Sequence, residues 1–599
     1  MAILIPSIEE IKNSKPYPEK GELKLINVLK EGLDDSYHVF FQSYLNGLHP
    51  DVVVLRDGYG VFIIEVKDWN LRSYRYDNDV GKYGRIFVQE NNQLVNNPFE
   101  QVMSYKDSLY KLYLPELALE KAKNALHYGF VKVGLYFHID KEQYVRTFFQ
   151  SSKKDINYIS KWGYDSNIVK EIKQKLSNPS TLSRDTYDKL HTLLTPIYHK
   201  ANEGQNITLT NQQARLSKSD AGLQTKVRGI AGCGKSTIIA YKAVNVVKRK
   251  GENCRVLILS YNITLKNYLR DKTSAIREDF SWDNFNIIHF HGFISQSSSI
   301  DNINIKDSKG KINYNQLTLN SFKDRISDRN KYDAILIDEG QDFNKEWFDI
   351  LKYSFLKKDG EFLIMADEKQ NIYDKVLDNA KKTITNITGP WNNLNVTYRL
   401  DGKLKNIAKK LQYKFFKGKY ELDIFTEEQM SLTPNKQDII YKYDEKVSYL
   451  EIFNEVKVYT EKNSIHFNNV CILANEIIHL RELEYSIRNV YNINCEIMFE
   501  TKEEFDGLRA AVANNFESEL ENIRRIKKFG FNNNSGKLKL CTTHSFKGWE
   551  SETLVLIIDK RDTHLTPELL YTAITRCKKN FIVYNIGNTQ YNNFFVSVM

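Results

Sequence analysis

Two sets of residues in this chain have types and spacings that can do chemistry. The first is Pro50-Asp51 followed by Glu65-Val66-Lys67. Between them, residues 52–56 and 61–66 are β-rich and flank the turn residues Asp57-Gly58-Tyr59-Gly60, which predicts a hairpin. Centred on Gly58, that hairpin sets Asp51 opposite Glu65, with Lys67 projecting from the same face as Glu65. Asp51 and Glu65 are the predicted metal ligands, since two carboxylates hold a hard cation such as Mg²⁺, with Mn²⁺ as an alternative, and leave waters on it. Such an ion activates bound water for phosphodiester hydrolysis, and Lys67 can position that water or stabilise the charge on phosphorus. Glu22 follows Gly21 and opens a helical pattern through Leu23, Ile26, Val28 and Leu29. Gln101 and Tyr105, four residues apart, share one helix face. A Glu-x-Lys triplet alone is more often a surface ion pair of little worth; the whole set is what argues for catalysis.

The second set is Gly229-Ile-Ala-Gly232-Cys-Gly234-Lys235-Ser236-Thr237. It follows a short strand and opens a helix with an apolar face through Ile238, Ile239, Ala243, Val246 and Val247. In that context the glycines let backbone N–H groups wrap phosphates at a helix N-terminus. Lys235 then reaches the β- and γ-phosphates and Ser236 takes Mg²⁺. A buried run, Ala334-Ile-Leu-Ile337, ends in Asp338-Glu339-Gly340-Gln341-Asp342. Asp338 is expected to hold Mg²⁺ and Glu339 to activate the attacking water of ATP hydrolysis.

The first set resembles the PD-(D/E)xK nuclease superfamily, and within it the nuclease-related domain (NERD) family, over about residues 15–125. The Gly-Glu opening, the Asp before a Gly-containing hairpin, Glu65-Val-Lys67 and Asn97-Pro98 with Gln101 carry the resemblance. The Gln101-x-x-x-Tyr105 element is also similar to the RecB-like branch. The second set resembles superfamily 1 helicases of the UvrD/Rep type, over about residues 205–590. Leu209-Thr-Asn-Gln-Gln213 is similar to the adenine-reading Q motif, and Ala366-Asp-Glu-Lys-Gln370-Asn-Ile-Tyr373 to motif III. Thr397-Tyr-Arg399, the stretch from Thr543 to Glu550, and Tyr571-Thr-Ala-Ile-Thr-Arg576 are similar to motifs IV, V and VI. The resemblance implies a γ-phosphate sensor at Gln370 and arginine fingers at Arg399 and Arg576. It makes Gln213 and Glu550 nucleotide-site residues, with Gly229, Gly232, Gly234 and Thr237 in the phosphate loop. Ser260-Tyr-Asn262 and His289-Phe-His291 resemble motifs Ia and Ib, which line a single-strand DNA groove where aromatic rings stack bases. His289 and His291 have no apparent third metal ligand and read as core or groove residues. Asp374-Lys-Val376 stands where many UvrD-like enzymes have Trp-Arg, so one base-stacking wedge is expected to be missing.

The chain has 599 residues and a net charge of +10, with a pI of about 8.8. That length requires several domains, and the basic balance suits a polyanion such as DNA. No apolar run approaches a membrane span, no signal peptide is read, and six scattered cysteines suit a reducing cytoplasm. The expected fold class is α/β: a PD-(D/E)xK-type nuclease module at 1–125, its completion and a helical linker at 126–204, then two RecA-like doubly wound parallel-sheet domains at 205–388 and 389–599. Gly389-Pro390 is the expected hinge. The accessory insertions (1B, 2B) look reduced, the second near 405–450 and 500–535, which argues against processive unwinding by a monomer. The order of modules resembles bacterial nuclease-helicase immunity proteins, and that resemblance alone implies degradation of phage DNA. A housekeeping repair enzyme, or a DNA-stimulated ATPase switch gating a nuclease, would carry the same residues. Monomer and homo-oligomer both stay open.

Overall fold

The computed structural model describes residues 1–599 except 13–16, 44–48, 80–81, 96, 111–128, 152–153, 181–183, 196–206, 252, 302, 306, 308–311, 401, 425–436, 512–514, 532, 534, 563 and 599. It divides into two compact units, Met1–His199 and Lys200–Met599. The expected boundaries at 125/126 and 204/205 lie outside the described residues.

The first unit is built on a six-stranded sheet in the order β1-β2-β3-β4-β8-β9. These strands are β1 (Ile3–Ile5), β2 (Tyr37–Phe41), β3 (Val52–Arg56), β4 (Gly60–Lys67), β8 (Val131–Phe137) and β9 (Ser160–Gly163). A separate three-stranded sheet holds β5 (Tyr74–Asp77), β6 (Arg85–Val88) and β7 (Leu94–Val95). β3 and β4 pair antiparallel with Val52 opposite Ile64 and Arg56 opposite Gly60. β8 and β9 then add in parallel to β4, so the segment after 126 contributes two strands to this sheet. Both faces of β3 and β4 are covered, which is why these strands read as nearly continuous apolar runs. Side chains alternate between faces: Val52, Val54, Phe62 and Ile64 pack with Leu25, Ile26 and Leu29 of the helix Lys20–Gly32. Val53, Leu55, Val61 and Ile63 pack on the other face with Phe99, Val102 and Tyr105 of the helix Pro98–Ser108. Each such side chain, removed from water, contributes about 1.5–3 kcal/mol.

The second unit holds two six-stranded parallel sheets. The first has the order β12-β11-β13-β14-β10-β15, with β10 (Gln224–Gly229), β11 (Val256–Ser260), β12 (Phe285–His289), β13 (Tyr332–Ile337), β14 (Leu356–Ala366) and β15 (Asn392–Leu394). The second has the order β16-β21-β20-β17-β19-β18, with β16 (Ile439–Tyr443), β17 (Val470–Ala474), β18 (Glu496–Ile497), β19 (Lys539–Thr542), β20 (Ser551–Asp559) and β21 (Cys577–Ile586). Every neighbouring pair in these sheets is parallel, so crossover connections must join the strands. The expected hinge at Gly389-Pro390 falls too early. β15 lies after it and still pairs with β10, because Leu394 enters the apolar core and its carbonyl accepts from Ile230 N, in the glycine-rich loop. The chain therefore leaves the first sheet only after Leu394. One apolar cluster runs through both sheets, from Val256 and Leu336 to Leu473 and Val583. Tyr268 meets Trp549 within it at 5.6 Å between ring centroids. The insert between β18 and β19 is a pair of helices, Lys502–Ala511 and Phe516–Gly530.

Candidate functional site

In the first unit, the β3–β4 register brings Asp51 opposite Glu65. Asp51 Oδ2 accepts from Val66 N at 2.6 Å. Glu65 continues the alternation of Val61 and Ile63, so it points to the face covered by the helix Pro98–Ser108. Its Oε1 accepts from Lys67 Nζ at 2.5 Å and from Gln101 Nε2 at 2.5 Å. Gln101 Nε2 also reaches Tyr105 Oη at 2.7 Å, and that hydroxyl donates to the His49 carbonyl at 3.2 Å. The helix starts here because Asn97 caps it, its side chain accepting from Phe99 N, with Pro98 at the first position. Gln101 is thus fixed one turn inside. Glu22 arrives from the opposite face, on the first turn of Lys20–Gly32, where it closes a capping box with Glu19.

The electrostatics of this cluster are those of carboxylates gathered without enough positive charge. Burial, then Glu65, push Asp51 well above the usual carboxylate range, although Lys67 works against them. Burial raises Glu22 to about 7, with Glu19 and Glu65 adding to the shift. Lys67 is held above its ordinary value by Glu65 and Asp51 in spite of burial. The Glu65 Oε2 atom is buried without a hydrogen-bond partner. An orphaned carboxylate oxygen beside a second carboxylate that resists ionisation is the donor set that a hard divalent cation fits, so Asp51 and Glu65 are the residues able to hold one. The sequence reading overlooked two neighbours. Gln42 adopts φ 50° at the end of β2, its N–H donates to the Asp51 carbonyl at 3.0 Å, and its side chain bonds Glu22. Asp68 pairs with His138 at 2.8 Å and accepts from Gly21 N at 3.4 Å. Neither was legible, because a lone Gln, Asp or His has no spacing signature.

In the second unit, the glycine-rich loop joins β10 to the helix Lys235–Lys250. Gly232 and Gly234 take φ 79° and 89°, which favours glycine. A Cβ on Gly232 would also meet Thr397 Oγ1 at 2.8 Å, and one on Gly234 would meet Gln213 Nε2 at 2.6 Å. Gln213 is anchored by a capping box with Thr210 and donates to the Cys233 carbonyl at 3.0 Å. Lys235 Nζ donates to the Gly229 and Ile230 carbonyls at 2.8 and 3.2 Å. Ser236 Oγ donates to Asp338 Oδ2 at 2.7 Å, joining the loop to the end of β13.

The second sheet supplies cations to this end of the first. Arg576 lies 3.7 Å from Glu339 and bonds Gln370 Oε1. Gln370 in turn donates to Asp367 at 2.7 Å. Arg399 bonds Glu550 at 2.6 Å and the Thr575 carbonyl at 3.1 Å, and Lys578 holds the other Glu550 oxygen at 2.6 Å. Glu550, read as a nucleotide-site residue, is therefore the counter-ion of Arg399 and Lys578. Burial would raise Glu339, but Lys547, Arg576 and Lys235 outweigh it and hold the carboxyl at about 2. Burial and the adjacent Glu339 raise Asp338 to about 6. Gln213, Gly232, Gly234, Lys235, Ser236, Thr237, Glu339, Gln370, Arg399, Glu550 and Arg576 all line one cavity of about 1530 Å³. Sequence reasoning missed Lys547 and Asp342 as a pair, and Asp367 and Lys578, since each gains meaning only from its partner across the fold.

The predicted groove residues cluster nearby. Tyr373 meets Tyr261 at 4.6 Å, and Tyr261 stacks on Trp347 at 6.1 Å between centroids. His291 lies edge-on to Trp347 and to Tyr314, at 5.5 and 4.4 Å. Burial takes His291 down to about 4 and His289 to about 3, so both rings are neutral. Among the described residues neither belongs to a group able to hold a metal ion. Val376, in the segment where a Trp-Arg pair was missed, is 82% exposed.

Comparison with known proteins bears on the first unit. The family model described as the nuclease-related domain (NERD) matches residues 18–133, which include Glu22, Asp51, Glu65, Lys67, Gln101 and Tyr105. No curated protein matches the chain. Among solved structures it is similar to an arterivirus nonstructural protein 10, a helicase in complex with DNA. The identity is 10%, covering 67% of this chain and 68% of that one, with a TM-score of 0.27. Among the described residues no helix is long and apolar enough to cross a membrane.

Proposed function

We propose that the chain is an ATP-dependent DNA translocase or helicase joined to a metal-dependent deoxyribonuclease. The nuclease reading rests on the nuclease-related domain and on one observation within it. Asp51, Glu65, Lys67 and Gln101 meet at the end of the β3–β4 hairpin, with a buried Glu65 oxygen lacking a partner. Asp51 and Glu65 would hold Mg²⁺ or Mn²⁺. When bound, the cation supplies an activated water and neutralises charge on the phosphate. Lys67 keeps a cationic donor at the carboxylates, suited to the charge that builds on phosphorus. Gln101 fixes the Glu65 rotamer, and Tyr105, kept protonated by burial, fixes Gln101.

The motor reading rests on the convergence of Lys235, Ser236, Glu339, Arg399 and Arg576 around one cavity, with Asp338 bonded to Ser236 behind it. Ser236 and Asp338 are the pair suited to a nucleotide-bound Mg²⁺. Glu339 is ionised at neutral pH and can accept a proton from water. Arg399 and Arg576 offer positive charge to the transferring phosphoryl group. The partly exposed rings of Tyr261 and Tyr373, with the buried Trp347 stacked behind Tyr261, suit sequence-independent stacking of DNA bases. Degradation of phage DNA in bacterial defence is the biological role we favour, on the order of the modules.

A second reading is an ATPase switch that gates the nuclease without unwinding. The short insert Lys502–Gly530, whose described residues include two helices, Lys502–Ala511 and Phe516–Gly530, favours it. Cleavage of linear, nicked and circular DNA with Mg²⁺, with and without ATP, separates these readings from their failure. Asp51→Asn and Lys67→Met should abolish cleavage and spare ATP hydrolysis; Lys235→Ala should abolish ATP hydrolysis. Strand displacement lost in Lys235→Ala supports the helicase, and DNA-stimulated hydrolysis without displacement supports the switch. Cleavage that survives Asp51→Asn would remove the nuclease assignment from this centre. Phage plating on cells carrying each variant tests the defence role.

A further inference from the structure

The tip of the β3–β4 hairpin carries a second constellation, far along the strands from the carboxylate cluster. Asp57 lies six residues from Asp51, roughly 20 Å along an extended strand. His191, in the last turn of the helix Arg184–Leu194, places Nε2 2.9 Å from Asp57 Oδ1. His38, on β2, lies edge-on to His191 with ring centroids 4.3 Å apart. One ligand atom from each of the three residues falls within 4.8 Å of the others. The His38 Nδ1 atom is buried and has no hydrogen-bond partner. Arg184 lies 3.6 Å from the second Asp57 oxygen and is itself 76% exposed.

We propose that His38, Asp57 and His191 form a structural site for a transition-metal ion, Zn²⁺ being the species its chemistry suits. Two imidazoles and one carboxylate are ligands for Zn²⁺ rather than Mg²⁺, which prefers oxygen. Tetrahedral Zn²⁺ with bonds of about 2.0–2.1 Å places its donors about 3.3 Å apart, so the present spacing needs only small side-chain rotations. Asp57 and His191 are about a quarter exposed, 23% and 24%, which leaves room for water as fourth ligand.

The three ligands come from β2, the hairpin turn and a helix more than a hundred residues later. An ion there would staple the helix Arg184–Leu194 to the sheet and stiffen the hairpin that carries Asp51 and Glu65 at its other end. The His191–Asp57 contact alone would explain an ordinary ion pair; it does not explain why the His38 Nδ1 atom beside it is buried without a hydrogen-bond partner.

The test is metal analysis of the full chain, free of affinity tags, after incubation with Zn²⁺ and exhaustive dialysis. One Zn²⁺ per chain should be retained by the unchanged protein and by Asp51→Asn. It should be lost from His38→Gln and from His191→Gln. Should His38→Gln fail to fold, Co²⁺ titration of the unchanged protein gives an independent reading, since four-coordinate Co²⁺ with nitrogen ligands absorbs strongly in the visible and Zn²⁺ should bleach it. Zn²⁺ retained in His191→Gln, Zn²⁺ lost only in Asp51→Asn, or a weak octahedral Co²⁺ spectrum would each overturn the proposal.

Discussion

Lys547, just after the helix Thr543–Phe546, sets its ammonium 2.8 and 2.7 Å from the two carboxylate oxygens of Asp342, which follows β13. A third bond goes to the Gln370 carbonyl at 2.7 Å. Both side chains are 1% exposed. The pair therefore joins the two sheets of the second unit through a desolvated charge contact, near Glu339 and Arg576, which line the large cavity of that unit.

Breaking such a pair leaves a buried charge uncompensated, which costs about 3–5 kcal/mol. Lys547→Met should lower the urea midpoint of the second unit's unfolding transition by the corresponding amount. Lys547→Met with Asp342→Leu should recover most of the loss, because apolar replacement of both partners is close to neutral. A double variant as unstable as the single one would refute this account of the contact.

Arg576 reaches both Glu339 and Gln370 from the second sheet. On the proposed role of arginine finger, its removal should lower kcat for ATP hydrolysis by about 10³-fold or more, with a smaller effect on KM. Arg576→Lys should not rescue the rate, since an ammonium cannot make the same forked contacts. Steady-state hydrolysis in the presence of single-stranded DNA reads both.

Glu22 gives the first unit a pH signature. Its carboxyl is raised from 4.5 to about 7 by burial. The folded state therefore keeps a proton that the unfolded chain releases, and without divalent cation stability falls as pH rises from about 4.5 to about 7. The loss is roughly 3 kcal/mol and is complete above that window. Glu22→Gln retains a capping-box side chain and should melt higher than the unchanged protein near pH 8, while losing metal-dependent cleavage. Equal melting temperatures across the window would contradict the assignment.

Gly21 precedes Glu22 and has no room for a side chain. A Cβ there would collide with Asp68, come within 2.7 Å of His138 Nδ1 and lie 2.8 Å from Val66. Gly21→Ala should push the helix N-terminus and Glu22 away from the cluster. Small displacements of that kind cost about 10²-fold in rate, so DNA cleavage should fall while ATP hydrolysis stays unchanged.

The first strands and loops were legible because they depend on neighbours in sequence. A turn centred on Gly58 fixes the hairpin register by itself, so the Asp51–Glu65 facing followed from counting, and β13 stood out as an unbroken apolar run. The phosphate loop needs only glycines that tolerate positive φ and a helix to follow. What depended on distant contacts could not be counted. The bond from Gln101 to Glu65 exists because a helix packs on one face of β4; spacing within that helix could only align Gln101 with Tyr105. The passage between the two parallel sheets was misjudged at Gly389-Pro390 because turn residues mark a break in local structure, while sheet membership is decided by which edge is free, and β15 found the edge of β10. The raised carboxyls of Glu22 and Asp51 reflect burial and crowding of like charge, quantities that arise only when the chain is folded. The same holds for Lys547 with Asp342, and for His38, Asp57 and His191, brought together from positions with no common spacing. Sequence alone determined residue type, local register and the glycine-dependent turns, because those follow from short-range sterics. The tertiary structure decided which charges meet and how dry the place is where they meet, because both depend on surfaces contributed by segments far apart in the chain.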